Sequence, residues 1–285
     1  MQKRRSTLIL TGAALLGFAA VPQASAQPGG EIRIGMKEWA ENVAVSNMWK
    51  QVLEEKGYSV SLTTVGRVIS FASMATGDLD LDLESWLPAT DAELFERYGD
   101  DVEAGSAWYD GARLGLVVPS YADIESVDDL QDANVLDSAY SQDVIGIESG
   151  SALMGMAERA MGSYELDREL ITGSEAAMMA VLNRAYETEQ SIVVTLWSPH
   201  WAFAQYDLKY LDDPQGVFGD VEQIHYVTRS GFAEDFPRVH EWLEAWEMDD
   251  QSLGSLMAAV EEGGEVEGVS QWIDENRELV DSWIE

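Results

Sequence analysis

The sequence predicts two similar α/β lobes, each a mostly parallel sheet flanked by helices, with a cleft between them. Three observations predict it. Strands and amphipathic helices alternate from residue 31 to residue 86, which is the signature of parallel βαβ units. The same order returns from residue 144 to residue 197. Each run ends in an apolar strand that stops at a Trp-x-Pro unit, Trp86-Leu87-Pro88 and Trp197-Ser198-Pro199. Two such strand ends in two halves of one chain point to a site built from both, where loops at strand termini converge.

The elements follow in order. Glu31-Ile32-Arg33-Ile34-Gly35 alternates as a first strand, and Trp39 follows it. Val43 to Lys56 is an amphipathic helix that closes at Gly57. Tyr58 to Val65 alternates as a second strand, and Ile69 to Ala75 is a short helix ended by Gly77. Leu79 to Ser85 is the third strand, reaching Trp86, and Ala89 to Tyr98 is the next helix. Gly111 to Pro119 reads as a strand crossing to the second lobe, and Val127 to Leu130 as a short helical start. There, Val144 to Ile147 is a strand, and the small-residue loop Glu148-Ser149-Gly150-Ser151 leads into a helix from Ala152 to about Met161. Tyr164 to Thr172 carries a strand, and Ser174 caps a helix over Glu175–Tyr186. Ser191 to Thr195 leads into Trp197, and Glu222 to Thr228 is the strand back. The tail is helical over Pro237–Trp246, Gln251–Glu261 and Val266 to the end. The division expected is 27–118 with 227–285 in lobe 1, and 119–226 in lobe 2.

Residues 1–26 stand apart. Lys3-Arg4-Arg5 precedes an apolar stretch from Thr7 to Val21 and an Ala24-Ser25-Ala26 cleavage site, the pattern of a secretory signal peptide cut after Ala26. The apolar stretch is too short to span a membrane. The expected location is therefore the periplasm. No cysteine is present, which excludes disulfides, thiolate metal sites, a cysteine nucleophile and a lipid-bearing N-terminal cysteine. The formal charge is −35 over 285 residues, and loss of Lys3, Arg4 and Arg5 makes it about −38. Such a surface repels nucleic acid and anionic membranes. It suits saline surroundings where screening is short; a chain that unfolds as salt is withdrawn would bear this out, and one indifferent to salt would not.

Trp39, Trp86 and Trp197 each follow a predicted strand, so three indole faces can surround a cavity. Their electron-rich faces attract a weakly hydrated quaternary ammonium, each for ~0.5–2 kcal/mol. Trp49, Trp108, Trp242, Trp246, Trp272 and Trp283 fall in helices or connections and read as core. The loop before Ala152 and Leu153 turns a strand into a helix, so its free backbone N–H groups form an anion site suited to a carboxylate. The plain alternative is an ordinary N-cap by Ser149 or Ser151. It is neither a dinucleotide fingerprint nor a P-loop, since the required glycines and lysine are missing. Asp78-x-Asp80-x-Asp82-x-Glu84 lacks the glycine and closing glutamate of a calcium loop and reads as a half-exposed strand. His200, His225 and His240 have no metal-ligand spacing, and Gly146 to Gly150 lacks the order of a nucleophile elbow. No catalytic constellation, metal site or cofactor motif is present, so an exported α/β hydrolase is only a remote alternative. The acid-rich tail reads as a solvated face.

Several separate blocks together resemble the glycine betaine-binding proteins of osmoprotectant (glycine betaine/proline betaine) ABC importers. They are Ala75-Thr76-Gly77, Trp86-Leu87-Pro88, Gly115 to Pro119, Gly173 to Met178, Trp197-Ser198-Pro199-His200-Trp201, Tyr206 to Pro214, Ile224-His225 and Arg229-Ser230-Gly231-Phe232. The resemblance covers nearly the whole chain after the signal. It implies a two-lobed periplasmic binding protein of type II-like fold, closing on its ligand and delivering it to a membrane permease. It further implies that Trp39, Trp86 and Trp197 enclose the trimethylammonium group and that the Ala152 and Leu153 amides hold the carboxylate. Gly150, Ser151, His200 and Asp91 are expected beside these groups. The sequence departs from the family at Ala152, where relatives often have glycine, and at Ala40-Glu41-Asn42. It departs again at Asp91, where some members place a histidine that helps hold the carboxylate; an acid there would repel a carboxylate or attract a cation. The expected ligand is glycine betaine or a close zwitterion, with choline, carnitine, ectoine or dimethylsulfoniopropionate as alternatives, and the expected state is a monomer.

Overall fold

The computed structural model describes residues 29–132, 135, 136, 138–140 and 142–285. The signal peptide expected at 1–26 lies outside the described residues. In chain order the elements are β1 (Glu31–Met36), α1 (Ala40–Glu55), β2 (Ser59–Thr64), α2 (Arg67–Ala75), β3 (Leu81–Leu87), α3 (Ala92–Tyr98) and β4 (Val102–Pro119). A 3₁₀ turn at Val127–Gln131 precedes β5 (Asp143–Ile145), α4 (Ala152–Ser163), β6 (Glu169–Ile171), α5 (Glu175–Glu187), β7 (Val193–Ser198), α6 (Ala202–Gln205) and β8 (Leu208–Tyr210). β9 (Glu222–Arg229) leads to α7 (Phe232–Asp235), α8 (Pro237–Glu244), α9 (Asp250–Gly263), α10 (Glu267–Glu275) and α11 (Arg277–Trp283).

The internal repeat is visible in the sheet order, β2-β1-β3-β9-β4-β7-β5-β6, with β8 beside β4. In the first half β1 lies between β2 and β3, parallel to both. In the second half β5 lies between β6 and β7, again parallel to both. Each half thus orders its strands second, first, third, and the Trp-bearing strand is the third in each. The long β4 joins them: Val102 to Ala112 pairs antiparallel with β9, and Arg113 to Val117 pairs antiparallel with β7. Gly111, at φ +96°, sits just before the change of partner, in a conformation costly for any other residue. The peptide bonds before Pro88 and Pro199 are both cis.

β6 spans only three of the nine residues expected as a strand at Tyr164–Thr172, because Tyr164 ends α4 and Glu165, at φ +52°, turns the chain. β8, absent from the sequence expectation, is a three-residue edge strand, Leu208 to Tyr210, too short for its alternation to announce it. The final helix expected from Val266 breaks at Asn276 into α10 and α11. The tail does more than face solvent. Trp246 stacks on Trp108 at 4.3 Å and meets the edge of Trp49 at 5.5 Å, while Trp283 lies over Trp49 at 6.4 Å. This aromatic block fastens α1 and β4 to the C-terminal helices by apolar burial and ring packing.

Asp80, just before β3, and Asp82 and Glu84 within it overturn the half-exposed reading. Asp80, Asp82 and Glu84 are 1%, 0% and 1% exposed. Alternation did place Leu79, Leu81 and Leu83 on one face, yet the other face is covered too, because each acid has a partner. Asp80 accepts from Arg33 at 2.7–2.9 Å and from Arg229 at 2.8 Å. Asp82 pairs with the buried Lys37 ammonium and accepts from the Ser70 hydroxyl. Burial alone would lift the Asp80 pKa, but the Arg33 and Arg229 guanidinium groups outweigh it and hold the carboxyl below its usual range. Asp80 therefore ties β1, β3 and β9 together. Asp80→Asn should destabilise the protein by about 2–4 kcal/mol in urea unfolding, below the cost of breaking a fully buried pair because Arg33 stays one-third exposed. An unchanged midpoint would mean that the clamp is not structural.

Candidate functional site

A cavity of about 420 Å³, its mouth included, lies where the third strands of the two halves end. Trp39, Trp86 and Trp197 all line it, as do Ser151, Ala152, Leu153 and Asp91. The structure thus brings together residues read from four separate stretches of sequence. Gly150 and His200 do not line it.

Each tryptophan is positioned by its element and by a carboxylate. Trp39 is the extended residue before α1 and is half-buried; its Nε1 donates to Glu148 Oε1 at 2.6 Å, across to the loop after β5. Trp86, in β3, donates to Glu84 Oε1 at 2.7 Å, two residues back on the same strand face. Trp197, in β7, donates to Glu41 Oε2 at 2.8 Å, on the first turn of α1. Trp39 and Trp197 meet at 6.5 Å with their planes 60° apart. All three indole N–H groups are therefore satisfied by acids, and the ring faces remain for the cavity.

Two of these acids, Glu41 and Glu84, line the cavity and are fully buried. Each keeps one oxygen, Glu41 Oε1 and Glu84 Oε2, with no donor among the described residues. Burial pushes Glu84 up to about 7, against the pull of the Lys37 ammonium. Glu41 is raised well above the carboxylate range by burial first, then by the charges of Glu84 and Glu175. Lys37 also donates to the Glu84 carbonyl at 2.7 Å. Glu148 is raised as well, again chiefly by burial.

The N-terminus of α4 forms another wall of the cavity. Ser151, its N-cap, accepts from the Met154 N–H at 3.2 Å and donates to the Glu148 carbonyl at 3.0 Å. The helix offers no carbonyl to the N–H groups of Ala152 and Leu153, the first two of the helix, and both residues line the cavity. The N-cap alternative holds at Ser151, and the N–H groups of Ala152 and Leu153 stay free of it. Gly150 is not required for space, since nothing lies within 4 Å of a Cβ there. His200 stands behind the cage, edge-on to Trp197 at 4.8 Å. Its Nδ1 accepts from the Ala202 N–H at 3.0 Å, which leaves Nε2 to donate to Glu175 Oε1 at 3.0 Å. Glu175 in turn accepts from the Ala40 N–H at 3.0 Å.

Asp91 corrects the expectation that an acid there would act on a ligand as a free charge. It is 2% exposed and accepts from Arg67 Nη1 at 2.5 Å, Ser85 Oγ at 3.0 Å and the Trp86 N–H at 2.8 Å. Its charge is answered, and it fixes the backbone of a cage residue. The sequence reading missed Glu41, Glu84, Arg67, Thr90, Leu114 and Ile147 as lining residues. Period-two alternation could have found Glu84, since it shares a strand face with Trp86; nothing in the sequence flags Arg67.

This architecture, two α/β halves with a cavity at their junction, is that of a two-lobed periplasmic binding protein. Residues 30–275 match the model of the substrate binding domain of the ABC-type glycine betaine transport system, and the chain belongs to that family of ABC importer substrate-binding proteins. A glycine betaine/carnitine transport binding protein of Listeria monocytogenes is 36% identical over 146 residues, 50% of this chain and 49% of that protein, so the match spans about half the length of that curated relative. The structure of lactococcal OpuAC, in a closed-liganded conformation with glycine betaine, is 30% identical, with a TM-score of 0.82 over 90% of this chain and 100% of that one. The glycine betaine/L-proline-binding protein ProX of Borrelia burgdorferi is also 30% identical, with a TM-score of 0.83 over 90% of this chain and 97% of that one.

A carboxyl that holds its proton more tightly in the folded state contributes stability that is complete below its unfolded pKa. That stability is lost as pH rises through its folded pKa. For Glu84 the window runs from 4.5 to about 7. The ligand-free protein should therefore melt at progressively lower temperature between pH 5 and pH 8, and Glu84→Gln should flatten that slope. A melting temperature that rises over this range would contradict the buried acid pair.

Proposed function

We propose that this protein captures glycine betaine, or a close methylated zwitterion such as proline betaine, and passes it to the membrane permease of an ABC importer for osmoprotection. The observation that carries the reading is that three indoles and the N-terminus of α4 line one cavity. The trimethylammonium group sits among Trp39, Trp86 and Trp197, each ring offering ~0.5–2 kcal/mol by cation–π attraction. The carboxylate takes the N–H groups of Ala152 and Leu153, helped by the helix dipole. Ser151, His200 and Asp91 hold these groups in place, and Gly150 leaves the loop free to present its amides. With two charge-assisted bonds of ~1.5–3 kcal/mol each, the sum matches micromolar affinity, ~8 kcal/mol, after ordering costs. The glycine betaine-bound relative and the signal-peptide pattern of residues 1–26 support the same reading. The protein then works as a monomer in the periplasm, a binder and not an enzyme, in an organism of saline habitat. Its lobes, 27–118 with 227–285 and 119–226, close about the strands that cross between them.

Tryptophan fluorescence titration tests this. Glycine betaine should give a saturable change at micromolar concentration, with choline at least tenfold weaker because it brings no carboxylate to α4. Trp39→Ala, at the least buried of the three indoles, should weaken betaine binding about five- to thirtyfold while leaving the fold intact. No response to betaine would leave the fold standing and remove the cargo.

A further inference from the structure

Arg67 is the only basic side chain lining the cavity among the described residues. It is the first residue of α2 and is largely buried, its side chain 18% exposed. Nη1 is committed, donating to the Thr90 carbonyl at 3.0 Å and to Asp91 Oδ1 at 2.5 Å. Nε is buried and has no acceptor among the described residues. A buried guanidinium N–H left without an acceptor is costly, and an anionic ligand group entering this cavity would supply one. The same cavity holds the open N–H groups of Ala152 and Leu153.

We propose that Arg67 is the charged anchor for the anionic group of the ligand and sets the preference for a zwitterion over a plain quaternary ammonium ion. The inference rests on the glycine betaine reading and adds to it a residue that distinguishes ligands. Asp91 makes the arrangement workable in two ways. It is itself fixed by the Ser85 hydroxyl and the Trp86 N–H, so it holds the guanidinium rigidly beside the cage. It also answers the arginine charge, so the cage is not repelled by an uncompensated cation next to it. A guanidinium offers its remaining N–H groups in a fixed plane that matches a carboxylate, sulfonate or phosphonate oxygen. A ligand with a hydroxyl in place of the anion leaves Arg67 short of an acceptor and places a cation near it with no anion between. The acids behind the indoles and the guanidinium in front of Asp91 thus divide the cavity into a cation end and an anion end.

The test is calorimetric titration of the wild-type protein, Arg67→Met and Arg67→Lys with glycine betaine and with choline, alongside melting curves. Arg67→Met should lose ten- to a hundredfold in betaine affinity, the range for one charge-assisted hydrogen bond, with choline unchanged or tighter. Arg67→Lys should recover part of the betaine loss. An equal loss for both ligands would mean that Arg67 only braces the Thr90–Asp91 turn, and unchanged betaine affinity would mean that the amides of α4 suffice; either overturns the proposal while the betaine reading stands. Should Arg67→Met prove too unstable to titrate, the betaine-to-choline ratio of Arg67→Lys decides: a fall supports the anchor and an unchanged ratio removes it. A wild-type protein that does not bind betaine removes both readings.

Discussion

The site depends on three indole N–H groups, each held by a carboxylate. Tryptophan is large, and a buried N–H without an acceptor costs free energy. Here Glu148, Glu84 and Glu41 take those three donors, so the ring positions are set by hydrogen bonds and not by packing alone. The choice of acids has an electrostatic consequence. Two of them line the cavity with no full counter-charge, and their burial makes both hold a proton more tightly than a free carboxyl does. On the proposed function, any negative charge these acids carry adds to the attraction of the ring faces for a cation.

The internal repeat explains why the cage needs both halves. The strand orders β2-β1-β3 and β6-β5-β7 place Trp86 and Trp197 on equivalent strands. Trp39 enters from the start of α1 and Ala152 from the start of α4, which follow the equivalent strands β1 and β5. Bonds then cross the junction: Trp39 to Glu148, Trp197 to Glu41, and Ala40 to Glu175. Each joins a residue of the first half to one of the second, so a complete cage exists only when the halves are together. On the proposed function, this couples ligand capture to closure, because the cation completes a ring of groups that are apart when the halves separate. β4 is suited to carry that motion, since it changes partner from β9 to β7 between Ala112 and Arg113.

Much of this was legible from the chain alone, and the reason is specific. Parallel strands with crossover helices leave a strong periodicity, and the repeat shows it twice. Trp39, Trp86 and Trp197 stood out because each follows a strand, and the cap at Ser151 because small residues join a strand to a helix. The acids in and just before β3 were not legible. Alternating Asp and Leu looks the same whether the acid face meets water or Arg33, Lys37 and Arg229, and those partners come from β1, the turn before α1 and β9. Asp91 was misjudged for the same reason, since its partner Arg67 lies 24 residues away on another helix. Charges are paired by tertiary structure, which sequence spacing does not report.

The most direct measurement is a crystal structure of the protein with glycine betaine. The quaternary nitrogen should lie among the faces of Trp39, Trp86 and Trp197, with the carboxylate on the Ala152 and Leu153 N–H groups. A ligand seated the other way round, or the nitrogen outside the three indoles, would contradict the division of the cavity into a cation end and an anion end.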